Sequence, residues 1–95
     1  MLHIIQSSPF NTDLLARLAR RALPHDAFLL VGDGCYAVAN PEQLMAAIPD
    51  CGALYMLESD ARARGLHHQQ STVVKLIDYD RFVTLSIEHP QSITW

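Results

Sequence analysis

Cysteine and charge are both scarce in this chain of 95 residues, and each scarcity excludes a class of protein. The two cysteines, Cys35 and Cys51, are too few and too isolated for a disulfide framework or a zinc site. Only 18% of the residues are charged, and the formal net charge is −3. A domain that binds nucleic acid on its own usually carries a basic patch. The negative net charge therefore disfavours direct binding of RNA or DNA.

Long apolar runs are missing as well. No run approaches the ~20 residues that span a bilayer. The start MLHIIQSSPF lacks a basic leader and an apolar stretch of signal-peptide length. The sequence therefore predicts a cytoplasmic protein without membrane contact, in a compartment where thiols stay reduced.

Apolar residues, in contrast, make up 49% of the chain. A chain of this length is expected to form one domain, residues 1–95, which buries only roughly 60–65% of its extended surface. So small a body has too little interior for that apolar content. We therefore expect part of the apolar surface to lie in a subunit interface.

Short apolar runs alternate with segments that carry helix signals. Asn11 or Thr12 can cap a first helix, Asn40 followed by Pro41 a second, and Ser59 a third. The apolar runs are continuous rather than alternating, as in parallel strands that are buried on both faces. The order predicts a three-layer α/β domain, with helices on both faces of a mostly parallel sheet of about five strands. The predicted strands lie in residues 1–6, 27–32, 52–57, 71–77 and 91–95.

The segment DYDRFVTLSIEHP, residues 78–90, fits two structures. Asp78 is a good N-cap, and Pro90 is typical of a helix end. Residues 83–88, VTLSIE, nevertheless alternate strictly between apolar and polar, as a strand does. The residues that cap and end a helix, Asp78 and Pro90, favour a helix, while the spacing of the apolar residues alone gives the helix only a modest advantage.

Cys35 follows an apolar run and the turn Gly32-Asp33-Gly34, where a strand's carboxyl end is a common place for chemistry. A reactive thiol needs a helix N-terminus or a nearby cation to lower its pKa. The neighbours Asp33 and Tyr36 supply neither. The residues therefore favour an inert thiol over a persulfide carrier, and Cys51 has even less to activate it.

No other residue cluster composes an active site, a cofactor site or a metal site. The adjacent pair His67-His68 lacks a carboxylate or cysteine at ligand spacing. The Gly-Asp-Gly turn matches no phosphate-binding motif, and Asp33 would repel a phosphate. Asp78 and Asp80 are explained by helix capping and the helix dipole.

Four segments together resemble the TusB/DsrH family over nearly the whole chain. They are MLHIIQSSP at the start, LLVGDGCYA, ESDARARGL, and the ending LIDYDRFVTLSIEHPQSITW. The resemblance implies a small α/β fold and a helix over residues 79–88. It also implies a non-catalytic role in a cytoplasmic heterohexamer that relays persulfide sulfur toward 2-thiouridine at the tRNA wobble position.

The partners that the resemblance implies are TusC-like and TusD-like subunits. A TusA-like sulfur carrier, a TusE-like acceptor and tRNA are implied only indirectly. The essential cysteine of such complexes belongs to the D-type subunit, so no role passes to Cys35. Residues 12–23 also lack the first-helix cysteine that DsrH proteins of sulfur-oxidising bacteria can carry. This absence favours tRNA thiolation over sulfur oxidation.

An interface is expected to involve Tyr79, Phe82, Val83 and Trp95, because large aromatic residues are enriched among interface anchors. Closing the domain's own core explains these four residues equally well. Three alternatives stay open: a subunit of a DsrEFH-type sulfur-oxidation complex, a thiol carrier that uses Cys35 itself, and a homo-oligomer that binds a small ligand.

Overall fold

A parallel α/β architecture is seen in the computed structural model, which describes residues 1–9, 13–48, 52–67 and 74–95. In these residues the chain forms strands β1 (Leu2–Ile5), β2 (Ala27–Leu30), β3 (Ala53–Leu57), β4 (Val74–Ile77) and β5 (Ser92–Thr94). The α-helices are α1 (Leu14–Arg21), α2 (Pro41–Ala47), α3 (Glu58–Ala63) and α4 (Tyr79–Glu88). A 3₁₀ helix, Gly32–Ala39, connects β2 to α2.

The strands form one sheet in the order β4-β3-β2-β1-β5, and every neighbouring pair is parallel. Leu2 pairs with Ala27 on one side and with Ser92 on the other. The last strand thus lies beside the first one, at the edge of the sheet. All five carboxyl ends meet at one side of the molecule.

Successive side chains of each strand point to opposite faces, and both faces are packed. One face meets α1, the 3₁₀ helix, α2 and α3, around a core that includes Phe28 and Met56. The other face meets α4, whose Leu85 packs with Leu2 and Leu29. The predicted parallel sheet with helices on both faces is therefore confirmed. The two faces differ, however, since α4 is the only helix of the described residues that packs on the second face.

Capping residues in the sequence predicted where some of the helices begin. Residues 79–88 form α4, and the side chain of Asp78 accepts a hydrogen bond from the backbone N–H of Arg81 at 2.9 Å. The prediction that Ser59 caps the third helix is wrong: α3 begins one residue earlier, at Glu58, after Leu57. The proposed caps Asn11 and Thr12 lie outside the described residues.

The predicted tight turn at Gly32-Asp33-Gly34 is instead the start of the eight-residue 3₁₀ helix. Gly32 has φ +51°, which favours glycine. A Cβ on Gly34 would lie 1.9 Å from the carbonyl oxygen of Ile5, so the segment can approach β1 only because Gly34 has no side chain. This close approach fixes the position of the residue that follows, Cys35.

Candidate functional site

Cys35 lies in the 3₁₀ helix directly after β2 and is completely buried, with 0% of its surface exposed. Its thiol donates a hydrogen bond to the carbonyl oxygen of Leu30 at 3.6 Å. The residue belongs to the large core cluster, together with Ile5 and Leu30. The thiol is thus packed as a small apolar side chain is, and no sulfur donor can reach it without an opening of the core.

The electrostatic surroundings of Cys35 also disfavour the thiolate. The pKa of the Cys35 thiol is raised to about 11, first by burial and then by the carboxylate of Asp60. Arg64 acts in the opposite direction, but Asp33 adds to the rise. A persulfide carrier needs a low pKa and an exposed sulfur. Cys35 has neither, and Cys51 lies outside the described residues.

The charged residues next to Cys35 hold the backbone in place. The carboxylate of Asp60 accepts a 2.7 Å hydrogen bond from the backbone N–H of Gly32. Arg64 donates to the carboxylate of Asp33 at 3.1 Å. The groups that surround the thiol are therefore already paired with each other and link α3 to the 3₁₀ helix.

Helix α4 presents an exposed apolar surface. Tyr79, Val83 and Ile87 are 61%, 56% and 75% exposed, respectively. They are spaced four residues apart, which puts them along one side of the helix. We call these three residues the α4 stripe. Leu85 lies on the opposite side, in the core cluster of the second sheet face, and the half-buried Phe82 packs against that cluster.

The structure separates the four residues that were predicted as an interface. Tyr79 and Val83 belong to the α4 stripe. Phe82 is half-buried, its ring stacked on that of Tyr79 with centroids 6.2 Å apart. Trp95 is half-buried against the core. Ile87 was not among the predicted interface residues, although its spacing of four residues from Val83 places it on the same side of the helix.

A small groove lies at the carboxyl ends of β3 and β4, where the helices that follow leave toward opposite faces of the sheet. Its volume is about 240 Å³, and its lining residues are Glu58, Ser59, Arg62, Asp78 and Tyr79. The carboxylate of Glu58 is paired with Arg62 at 2.8 Å, and Asp78 caps α4. Among the described residues that line the groove, both carboxylates are thus engaged elsewhere and neither is hydrogen-bonded to Ser59, so the groove shows no nucleophile–base pair.

The first and last strands are connected by a buried polar chain. The indole N–H of Trp95 donates to Nδ1 of His3 at 3.1 Å, and Nε2 of His3 lies 2.8 Å from the carboxylate of Asp26. Because an indole nitrogen is only a donor, Nδ1 must be the acceptor and Nε2 carries the proton. His3 is 0% exposed, so this histidine serves the core.

Asp26 is the centre of this chain. Burial by itself raises the pKa of its carboxyl, but hydrogen bonds from the backbone N–H of Leu23, from His3 and from the Met1 ammonium lower it more. The pKa therefore lies below the usual value of 3.8. The charged carboxylate is the form that the fold stabilises.

The other histidines also form no site in the part of the chain that the structure describes. His25 follows α1 in a left-handed conformation, with φ 70°. His89 caps the carboxyl end of α4, and His68 lies outside the described residues. No group of three metal-ligating side chains occurs among the described residues. In the same residues, no helix is long and apolar enough to cross a bilayer.

These features define a small α/β protein with an open parallel sheet, a buried thiol and one helix whose outer side is apolar. The model of the DsrH-like protein family matches residues 7–92. The protein TusB of Pectobacterium parmentieri is 41% identical over 96 residues and that of Yersinia enterocolitica is 40% identical over 96, each with full coverage of both chains. The chain belongs to the TusB/DsrH family.

The fold has a solved counterpart. The solution NMR structure of protein Tm0979 from Thermotoga maritima superposes with a TM-score of 0.66, covering 96% of this chain and 97% of that one at 20% identity. This likeness shows the fold, while the family model and the TusB relatives confirm the family resemblance seen in the sequence. The chain is placed in the family that the sequence analysis connected with sulfur relay and tRNA wobble modification.

Proposed function

We propose that the chain is a non-catalytic subunit of a TusBCD-type sulfurtransferase complex. In this proposal the chain is a single domain that assembles with TusC-like and TusD-like subunits in a cytoplasmic heterohexamer. The complex relays persulfide sulfur from a TusA-like carrier to a TusE-like acceptor, for 2-thiouridine formation at the tRNA wobble position. The chain itself meets tRNA only indirectly.

The observation that carries the proposal is the α4 stripe. The helix is firmly held, since Leu85 is buried and Asp78 caps its start. Its outer side nevertheless leaves Tyr79, Val83 and Ile87 more than half exposed. An apolar row on a rigid helix is a typical helix-packing surface. Such a surface suits a chain whose role is to bind sister subunits.

The state of Cys35 supports the second part of the proposal, that the sulfur is carried by another chain. A buried thiol whose pKa is about 11 is poorly suited to accept sulfur at neutral pH. The absence of cysteine from residues 12–23 favours tRNA thiolation over the DsrEFH-type alternative.

The experiment is co-expression with TusC-like and TusD-like chains, followed by gel filtration and measurement of the Kd. The double variant Val83→Gln, Ile87→Gln removes apolar stripe surface while keeping helix propensity. The loss is worth about 3 kcal/mol, or roughly a hundredfold in Kd. The matched control is Leu23→Gln, which changes an equally exposed leucine (65%) outside α4.

The wild type and the Leu23 variant are expected to elute with both partners, and the double variant to elute apart from them. Two results contradict the proposal. In one, the double variant assembles as the wild type does. In the other, the wild type elutes as a monomer in the presence of both partners.

A further inference from the structure

The side chain of Trp95 is half-buried against the core. The ring of His3 is stacked on that of Phe28 with centroids 4.7 Å apart, and the ring of Trp95 meets the edge of His3, with centroids 6.2 Å apart. The guanidinium carbon of Arg17, on α1, lies over the indole, 5.9 Å from the ring centre. Trp95 therefore occupies a slot between the core and an arginine.

Polar groups of β1 and of the residues after it surround that slot. The backbone N–H of Trp95 donates to the carbonyl of Ile4 at 2.8 Å, and its own carbonyl accepts from the N–H groups of Gln6 and Ser7 at 3.1 Å each. The indole N–H donates to the buried Nδ1 of His3 at 3.1 Å. Each hydrogen-bonding group of Trp95 thus meets a complementary group of β1 or its loop, as a bound ligand meets a receptor.

Strand β5, which directly precedes Trp95, is a small element. It is three residues long and lies at the sheet edge, and both Ser92 and Thr94 are exposed. Short edge elements with little buried apolar surface open locally at a lower free energy than the core. When β5 lifts, the slot loses its indole, and the buried Nδ1 of His3 is left as an acceptor without a donor.

We propose that Trp95 is an internal ligand, and that the slot it fills is a binding site for a small aromatic molecule that carries an N–H donor. Indole is the simplest such molecule. Nδ1 of His3, whose ring is stacked on Phe28, accepts the N–H, and the guanidinium of Arg17 lies over the aromatic ring. In the closed chain Trp95 occupies the site, and an external ligand binds only to the fraction of molecules in which β5 is lifted.

The test is a titration of indole into Trp95→Ala, followed by fluorescence. Trp95 is the only tryptophan of the chain, so in this variant the added indole is the only indole fluorophore. The matched control is Trp95→Phe, which keeps the slot filled but lacks the N–H. We expect saturable binding to Trp95→Ala that is at least tenfold tighter than binding to the wild type or to the Phe variant.

Two outcomes overturn the proposal: a Trp95→Ala variant with wild-type circular dichroism that shows no saturable binding, or a wild type that binds indole equally tightly. If Trp95→Ala does not fold, Trp95→Leu takes its place in the titration. Quenching of the wild-type Trp95 emission by acrylamide gives an independent check. A quenching constant equal to that of free N-acetyltryptophanamide would also overturn the proposal, since an internal ligand is shielded.

Discussion

The slow reaction of Cys35 with an alkylating reagent is a direct consequence of its surroundings. The pKa of about 11, against a usual 9.0, lowers the thiolate fraction near pH 8 about a hundredfold. A more basic thiolate is a better nucleophile, and this raises the reaction rate of each thiolate by somewhat less than about tenfold. Ionisation alone therefore slows the reaction by about tenfold or slightly more. Complete burial slows it further, and a local opening free energy of only about 1.4 kcal/mol contributes another tenfold.

The assay is the rate of iodoacetamide labelling in Cys51→Ser, which leaves Cys35 as the only thiol. We expect native Cys35 to react at least about a hundredfold more slowly than the same chain in denaturant. We also expect the rate to keep rising with pH beyond 9, because the thiol ionises near 11. A native rate within threefold of the denatured rate would refute the reasoning, since it would mean that the thiol is accessible and ionised.

The remaining predictions concern the stability of four variants, each checked by urea unfolding. Asp26→Asn is expected to lose about 2 kcal/mol at pH 7, because a buried hydrogen-bond network is broken. Because the native pKa of Asp26 lies below 3.8, its carboxylate stabilises the fold fully above about pH 5. This part of the unfolding free energy is lost as the pH falls through the native pKa. The unfolding free energy of the variant should therefore fall less steeply than that of the wild type as the pH is lowered, and an equally steep fall would contradict this. Gly34→Ala should cost at least about 2 kcal/mol, since its Cβ meets Ile5. Gly65→Ala, with open space around it but φ +70°, should cost about 1 kcal/mol, and equal losses at the two glycines would contradict the steric argument. Asp78→Ala should cost about 1 kcal/mol through the lost N-cap, and no loss would contradict the assigned cap.

Most of the fold was predictable because its signals are local. Continuous apolar runs identified strands buried on both faces, and Asp78 identified the start of α4 despite the alternation in residues 83–88. The 3₁₀ helix could not be predicted, because residues 32–39 carry no periodic pattern. Its position depends on the contact of Gly34 with Ile5, which is distant in the sequence. Helix α3 begins one residue before its predicted start for a related reason. It follows β3 without a connecting loop, since the strand ends at Leu57 and the helix begins at Glu58.

The candidate site was predictable only in part. The prediction that Cys35 is inert followed from its neighbours, but the burial of Cys35 depends on the closure of the core. The role of Trp95 depends on contacts between residues 92 positions apart, which no local pattern reveals. An aromatic residue near a chain end fits an interface and a core equally well, and here the partner His3 places it against the core.

The central claim is that this chain contributes a surface to a sulfur relay while another chain carries the sulfur. The most direct measurement is mass spectrometry of each chain in the assembled complex, after loading with a cysteine desulfurase, its substrate and the carrier. We predict a mass increase of about 32 Da, the mark of a persulfide, on a partner chain and none on Cys35. A persulfide on Cys35 of this chain, formed in the intact complex, would contradict the account.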